Sequence, residues 1–191
     1  MRCLLMFVAA AVALSGSAFA AQPEQPNEHL KGFGPFIGTW RYEGPSPEEV
    51  PGFVEKGSKC MVQFSWRWIL DKNAVMQDLL VEFEGNKQVS QKELVGWNAA
   101  DKKIVSGGMN SLGIMQLGTI QVDPQAKKLT LETEGVNAEG GKTSGKAVFT
   151  KVDADTLTFE RLELTGSIVE GPSPVYTLKR VKPAKGEKAI R

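Results

Sequence analysis

The chain has 191 residues, of which 41% are hydrophobic, and its 23 basic and 22 acidic side chains give a formal net charge of +1. The length suits one domain with a sizeable core. The balanced charge argues against a nucleic-acid partner, because such proteins usually carry a basic excess that displaces phosphate counterions.

The first 20 residues predict a signal peptide. Arg2 supplies a positive start, residues 3–14 form an apolar run too short to span a bilayer core, and Ala18-Phe19-Ala20 place small residues at the cleavage positions. We expect cleavage after Ala20 and export to the periplasm or the medium. Removing these 20 residues from 191 leaves 171, in which we expect no membrane span.

The remaining chain divides into three predicted parts: a polar linker at 21–30, a β domain at 31–181 and a flexible basic tail at 182–191. Loss of Arg2 and Cys3 with the signal leaves equal numbers of acidic and basic residues and a single thiol, Cys60. An intramolecular disulfide is therefore excluded. Cys60 shares its alternation with Val62 and Phe64, which predicts a buried position.

The domain begins with a short helical turn predicted at 29–37 and continues as strands that alternate apolar and polar residues. We expect these strands at 38–44, 57–69, 74–84, 87–97, 103–110, 113–122, 128–134, 143–152, 156–164 and 174–181. Short turn-forming segments separate most of them, so consecutive strands should pair antiparallel. Closing the sheet on itself removes exposed edges. The sequence therefore predicts an all-β fold, an antiparallel up-and-down barrel of about ten strands, in preference to a sandwich.

The segment that opens the first strand resembles a known barrel motif. Phe36-Ile37-Gly38-Thr39-Trp40 is similar to the G-x-W opening of lipocalins and other calycins. In that superfamily the tryptophan closes one barrel end against a basic residue of the last strand. The resemblance implies a calycin-like barrel in which Trp40 and Arg180 perform this structural closure.

Three further motifs resemble exported bacterial proteins of the DUF1579-like group. They are Val95-Gly96-Trp97-Asn98, residues 156–161 and residues 175–180, and the likeness extends over roughly residues 30–181. The resemblance implies a bacterial periplasmic or secreted protein. It implies no particular activity, because the group has none established.

The chain lacks the motifs that most catalytic and metal sites require. His29 is the only histidine, it precedes the strands, and no G-x-S-x-G elbow accompanies it. A zinc site needs clustered histidines and cysteines, whereas His29 and Cys60 stand far apart. The haem-binding relatives that the fold resembles use a histidine late in the chain, where this sequence has none. We therefore predict no catalytic residue, no metal ligand and no cofactor.

The candidate ligand-binding residues are those expected to face the barrel interior. They are Phe64, Trp66, Trp68, Gln91, Glu93 and Arg161. Ligand pockets are mostly apolar with a few placed polar groups, which fits this set, but plain core packing would give the same apolar face. A shift of one residue in register would instead place the polar members in water.

Glu93 and Arg161 carry the sharpest hypothesis. If both face inward, they form a buried ion pair, and Glu93→Gln and Arg161→Met should each destabilise the fold by more than ~2 kcal/mol.

Three functions remain open. The first is a non-enzymatic binder of a small apolar or amphipathic ligand, which needs a cavity of at least roughly a few hundred Å³. The second is a structural or partner-binding module with a filled barrel and an exposed apolar patch. The third is an enzyme that uses Glu93 and Arg161 in one solvent-reachable pocket.

Overall fold

The computed structural model describes residues 25–167 and 169–182, where the chain forms one 3-10 helix and ten strands. The predicted signal peptide and the tail from residue 183 onward lie outside the described residues. The strands are β1 (Gly38–Pro45), β2 (Lys59–Ile69), β3 (Ala74–Phe83), β4 (Lys87–Asn98), β5 (Lys103–Asn110), β6 (Met115–Asp123), β7 (Lys128–Val136), β8 (Lys142–Lys151), β9 (Thr156–Thr165) and β10 (Tyr176–Arg180). Every predicted strand is present, with both ends within two residues of the prediction.

The strands form a closed antiparallel barrel, which confirms the predicted fold class. Each strand pairs with the next along the chain, and β10 returns to β1 through the pairs Trp40↔Arg180 and Arg41↔Lys179. Because the order is a simple meander, the connections alternate between two ends of the barrel. The described part of the sheet therefore has no free edge, as the preference for a barrel over a sandwich required.

Alternation along the strands divides interior from exterior side chains. On β2, Cys60, Val62, Phe64 and Trp66 are at most 6% exposed, while Arg67 lies in solvent. The buried position of Cys60 is thus confirmed. The pattern shifts once, between Lys146 and Ala147 on β8, where the pairing with β9 has a bulge.

One end of the barrel is closed by the 3-10 helix, Glu28–Phe36. The Asn27 side chain accepts a hydrogen bond from the His29 backbone N–H, 3.0 Å away, and so caps the start of this helix. Leu30, Phe33 and Phe36 recur every three residues, which is the period of a 3-10 helix, so they share one face, and each is at most 1% exposed. The helix therefore includes the end of the predicted linker, and Leu30 belongs to the core.

We call the end of the barrel that the 3-10 helix closes the plugged end. It also carries the connections at 70–73, 99–102, 124–127 and 152–155. The opposite end, which we call the open end, carries the connections at 46–58, 84–86, 111–114, 137–141 and 166–175. Within the described residues, no helix has the length and apolar character needed to cross a membrane.

Candidate functional site

The plugged end of the interior is built around Trp40, which is fully buried. The Trp40 indole N–H donates to the Phe36 carbonyl at 2.7 Å. The Arg180 guanidinium lies 4.0 Å from the centre of the Trp40 ring, and the Lys151 ammonium lies 4.1 Å from it. Burial and the neighbouring Arg180 lower the pKa of Lys151. The structure thus brings Trp40 and Arg180 together, with Lys151 as an additional cation that the sequence did not indicate.

Gly38 explains how Arg180 reaches this position. Its φ is +128°, and a Cβ at this residue would lie 2.4 Å from Arg180 Nη1. That same nitrogen donates to the Ile37 carbonyl at 3.0 Å. Glycine is therefore required here both by the backbone and by the space that Arg180 occupies.

Toward the open end, the interior contains a pocket of about 150 Å³. This volume is smaller than the few hundred Å³ that the ligand hypothesis called for. One wall is apolar and consists of Phe64, Leu79, Leu131, Ala147, Phe149 and Phe159. The aromatic members pack against one another, with ring centres of Phe64 and Phe149 5.0 Å apart and those of Phe64 and Phe159 4.9 Å apart. Because these rings hold each other in place, the apolar wall is preorganised.

The other wall is polar and includes Gln77, Gln91, Gln116, Thr133 and Arg161. Trp66 fixes the orientation of the Gln77 amide, because the indole N–H is only a donor and contacts the amide oxygen at 2.9 Å. The amide nitrogen of Gln77 has no hydrogen-bond partner among the described residues, so it is available to a molecule in the pocket. The pocket therefore has an apolar side and a hydrogen-bonding side.

Glu93 lies behind this polar wall and is 1% exposed, so the inward register is the one observed. The Gln91 amide N–H donates to Glu93 Oε2 at 3.2 Å. Among the described residues, Glu93 Oε1 and Ser106 Oγ have no hydrogen-bond partner of regular geometry. Burial raises the pKa of Glu93, and the nearby Ser106 and Gln91 side chains offset part of that rise. Glu93 is thus a buried carboxyl without a cation, and it does not itself line the pocket.

The predicted pairing of Glu93 with Arg161 is wrong. Arg161 lines the pocket, but its Nη2 donates to Glu48 Oε2 at 2.7 Å and its Nε donates to the Gly171 carbonyl at 3.0 Å. The Tyr176 hydroxyl donates to the other oxygen of Glu48 at 2.8 Å. Burial raises the pKa of Tyr176, and the hydrogen bond to Glu48 raises it further. Glu48 comes from the connection at 46–58, which folds over the open end and supplies the carboxylate that Glu93 was expected to supply.

The two remaining candidates, Trp66 and Trp68, face the interior without lining the pocket. Trp66 is buried and stacks on Phe64, with ring centres 5.6 Å apart, whereas Trp68 is half-buried against the core. Of the six candidates, Phe64, Gln91 and Arg161 line the pocket, and Trp66 and Glu93 support residues that do.

The outer face of the barrel carries two further features. An open groove of about 1140 Å³ is lined by residues of β6 to β9, including Glu134, Ser144, Glu163 and Thr165. The Glu134↔Ser144 and Ser144↔Thr165 pairs alternate with interior positions, which places the groove outside the barrel. An exposed apolar patch overlaps this groove and consists of Leu94, Met109, Met115, Leu117 and Val136, which are 45–63% exposed; the last three also line the groove.

Three features of the described residues bear on the chemistry of the site. Within the described residues, no three His, Cys, Asp or Glu side chains cluster as metal ligands. Burial raises the pKa of the Cys60 thiol, which opposes formation of the thiolate nucleophile. The enzyme hypothesis required Glu93 and Arg161 in one pocket, and only Arg161 lines it.

Sequence reasoning missed Glu48, Gln77 and Tyr176. Gln77 could have been found, since it alternates with Val75 and Leu79 as Gln91 does with its own apolar neighbours. Tyr176 alternates with Leu178 and was open to the same argument. Glu48 could not have been found, because it lies in an irregular connection with two prolines, where alternation gives no information.

A closed ten-stranded up-and-down barrel with a small amphipathic interior pocket is the class of protein that this fold and site define. Within that class, the chain belongs to the family described as "Protein of unknown function (DUF1579)", whose family model matches residues 22–167. The predicted resemblance to that group is thereby confirmed. No curated protein matches the chain.

Proposed function

We propose that the protein binds a small amphipathic molecule in the barrel interior after export from the cytoplasm, and that it does so without catalysing a reaction. The observation that carries this proposal is the pocket of about 150 Å³ with one aromatic wall and one wall of side-chain amides. Side-chain amides that face an unfilled interior are not expected in a protein whose barrel serves only as a packed core, because an unpaired polar group in a dry interior is costly.

The volume of the pocket restricts the size of the ligand. An engineered apolar cavity of about 150 Å³ is large enough for benzene. A compound with one ring or a short chain therefore fits the pocket, whereas a long lipid does not. Its apolar part would lie against Phe64, Phe149 and Phe159, and its polar part against Gln77, Gln91 or Arg161.

Native mass spectrometry of the protein purified from its own host tests this proposal. We expect a retained molecule of roughly the size of one ring, lost on denaturation. Two matched variants distinguish binding in the pocket from binding on the surface of the barrel. Ala147→Phe places a ring in the pocket, and Val148→Phe places the same ring on the opposite face of β8 as the matched control.

We expect Ala147→Phe to lose the retained molecule and Val148→Phe to keep it, with both variants folded by circular dichroism. Equal retention by the two variants would place the molecule elsewhere and contradict the proposal.

The exposed apolar patch favours a second candidate, a module that binds a protein partner. Its five side chains lie on one face of neighbouring strands. Met109 pairs with Met115 and Met115 with Val136, while Leu94 and Leu117 both pair with Gly107. Apolar surfaces of this kind often mark interaction sites. The same mass spectrometry distinguishes the candidates, because a preparation with no small molecule but with a bound polypeptide would favour the second.

A further inference from the structure

A carboxylate from outside the barrel wall occupies the cationic part of the interior. Glu48 Oε2 lies 2.7 Å from Arg161 Nη2, and Glu48 Oε1 lies 2.8 Å from the Tyr176 hydroxyl. The side chains of Glu48 and Arg161 are each 15% exposed. One carboxylate therefore bridges a guanidinium and a phenol, both of which arise from strands of the barrel.

Arg161 has donor capacity beyond this contact. Its Nε is committed to the Gly171 carbonyl and its Nη2 to Glu48. Its Nη1 has no hydrogen-bond partner among the described residues, and Arg161 lines the pocket. A guanidinium can hold both oxygens of a carboxylate at once, so the interior presents an incompletely used oxyanion site.

Glu48 is held by a connection whose base is fixed independently of Arg161. The Ser46 N–H donates to the Ser58 carbonyl at 2.6 Å, and the Gly57 N–H donates to the Ser46 carbonyl at 2.8 Å. Phe53, further along the connection, packs on Phe83 of β3 with ring centres 5.8 Å apart. Withdrawal of the Glu48 side chain from the barrel therefore does not require these contacts to break.

We propose that the ligand of this pocket carries a carboxylate, and that this group replaces Glu48 at Arg161 and Tyr176 when the ligand binds. The inference rests on the proposed function. Exchanging one carboxylate for another leaves Arg161 paired, which avoids the high cost of a buried guanidinium without a partner. A neutral ligand leaves Glu48 in place, and a cationic ligand is repelled by Arg161.

Two other charged groups line the pocket, Lys146 and Glu163, which face each other across β8 and β9. The Lys146 ammonium pairs with Glu132 at 2.7 Å, and these two side chains are 36% and 47% exposed, so this group of charges is in contact with solvent. Arg161 is therefore the cation that faces an anion in the interior. Glu93, behind the polar wall, has a raised pKa because it is buried, which reduces its negative charge relative to an exposed carboxyl.

Calorimetric titration with benzoate and benzyl alcohol tests the exchange, because the two probes share one ring and differ in charge. At neutral pH we expect Glu48→Gln to bind benzoate about 10-fold more tightly than the wild type, since the competing internal anion is gone. Benzyl alcohol should bind both proteins with affinities within about twofold. Glu49→Gln, which removes the adjacent exposed carboxylate, is the matched control and should behave as the wild type.

Two further measurements separate exchange from a purely structural contact. Arg161→Met should abolish the preference for benzoate over benzyl alcohol while keeping the affinity for the alcohol, which also shows that this variant is folded. In the wild type, benzoate should shift the side-chain carboxylate 13C resonance of Glu48, which is assigned by its loss in Glu48→Gln, and benzyl alcohol should not.

The outcomes distinguish this inference from the proposed function. If benzyl alcohol binds but Glu48→Gln leaves the benzoate affinity unchanged or lower, Glu48 is only a structural tether and the exchange is overturned. If neither probe binds any of the proteins, binding of single-ring molecules is itself overturned, and the exchange with it.

Discussion

The two ends of the barrel use the same alternating strands for different purposes. At the plugged end, Trp40, Phe33, Phe36 and Leu30 are at most 1% exposed, and the Trp40 indole N–H is hydrogen-bonded to a carbonyl. At the open end, the interior holds side-chain amides and the Arg161 guanidinium, which line a pocket. The plugged end is thus closely packed, whereas the open end leaves space and unpaired donors.

This difference follows from what each end is covered with. The 3-10 helix brings three apolar side chains into the plugged end, where they complete a core. The connection at 46–58 instead brings one carboxylate into the open end, where it satisfies Arg161 and Tyr176. We infer that the plugged end supplies most of the stability and that the open end can accommodate a ligand because it supplies less.

The largest expected effect is at Trp40. Trp40→Ala removes a fully buried ring together with its contacts to Arg180 and Lys151. We expect it to lower the free energy of unfolding by about 3–5 kcal/mol, as is typical for large aromatic residues in cores. Denaturant titration followed by circular dichroism measures this change.

Trp68 provides the comparison within the same barrel, since it faces the interior but is only half-buried. Trp68→Ala should cost clearly less than Trp40→Ala. Equal costs for the two variants would contradict the expectation that the cost follows the burial of the ring, since both tryptophans lie near the plugged end.

The next largest loss of stability is expected at Gly118 of β6, toward the open end. Gly118 faces the interior between Ser106 and Thr133, and a Cβ there would lie 2.5 Å from the Glu132 carbonyl oxygen, a backbone atom of the neighbouring strand. We expect Gly118→Ala to destabilise the fold by about 1–3 kcal/mol, because the strand must move outward to admit the methyl group. Thermal unfolding measures the change.

Gly96 of β4 is the matched control, because a Cβ there would meet no atom within 4 Å. Gly96→Ala should be neutral or slightly stabilising, since alanine restricts the unfolded chain. A similar loss at both positions would indicate that these glycines matter through strand propensity and not through the close approach of β6 to β7.

The sequence was sufficient to predict the barrel because its pattern is local. The alternation from Cys60 to Trp68 fixes which face of β2 is buried, and short connections make neighbouring strands antiparallel. The partner of Arg161 was not predictable in this way. Glu48 is 113 residues away and lies in a connection without periodicity, so only the folded path of residues 46–58 brings the two together.

The smallest expected effect, and the one with an informative sign, is at Glu93. Burial raises the pKa of Glu93 in the folded state. Between the ordinary pKa of a glutamate and this raised pKa, the folded state therefore holds a proton that the unfolded state has released. The contribution of this carboxyl to stability is therefore fully present below the ordinary pKa and is lost as the pH rises through the folded pKa. Glu93→Gln removes that dependence.

We accordingly expect Glu93→Gln to unfold at a temperature equal to or above that of the wild type at neutral pH, with the advantage disappearing as the solution is acidified. This is the opposite of the loss that a buried pair with Arg161 would give, because no cation faces Glu93 among the described residues. Glu82→Gln, which removes an exposed carboxylate on the outer face of β3, is the control and should show no such pH dependence. If Glu93→Gln instead melts well below the wild type at neutral pH, the ionised carboxylate is itself stabilised inside the barrel. The open end would then tolerate substitution less well than its comparison with the plugged end implies.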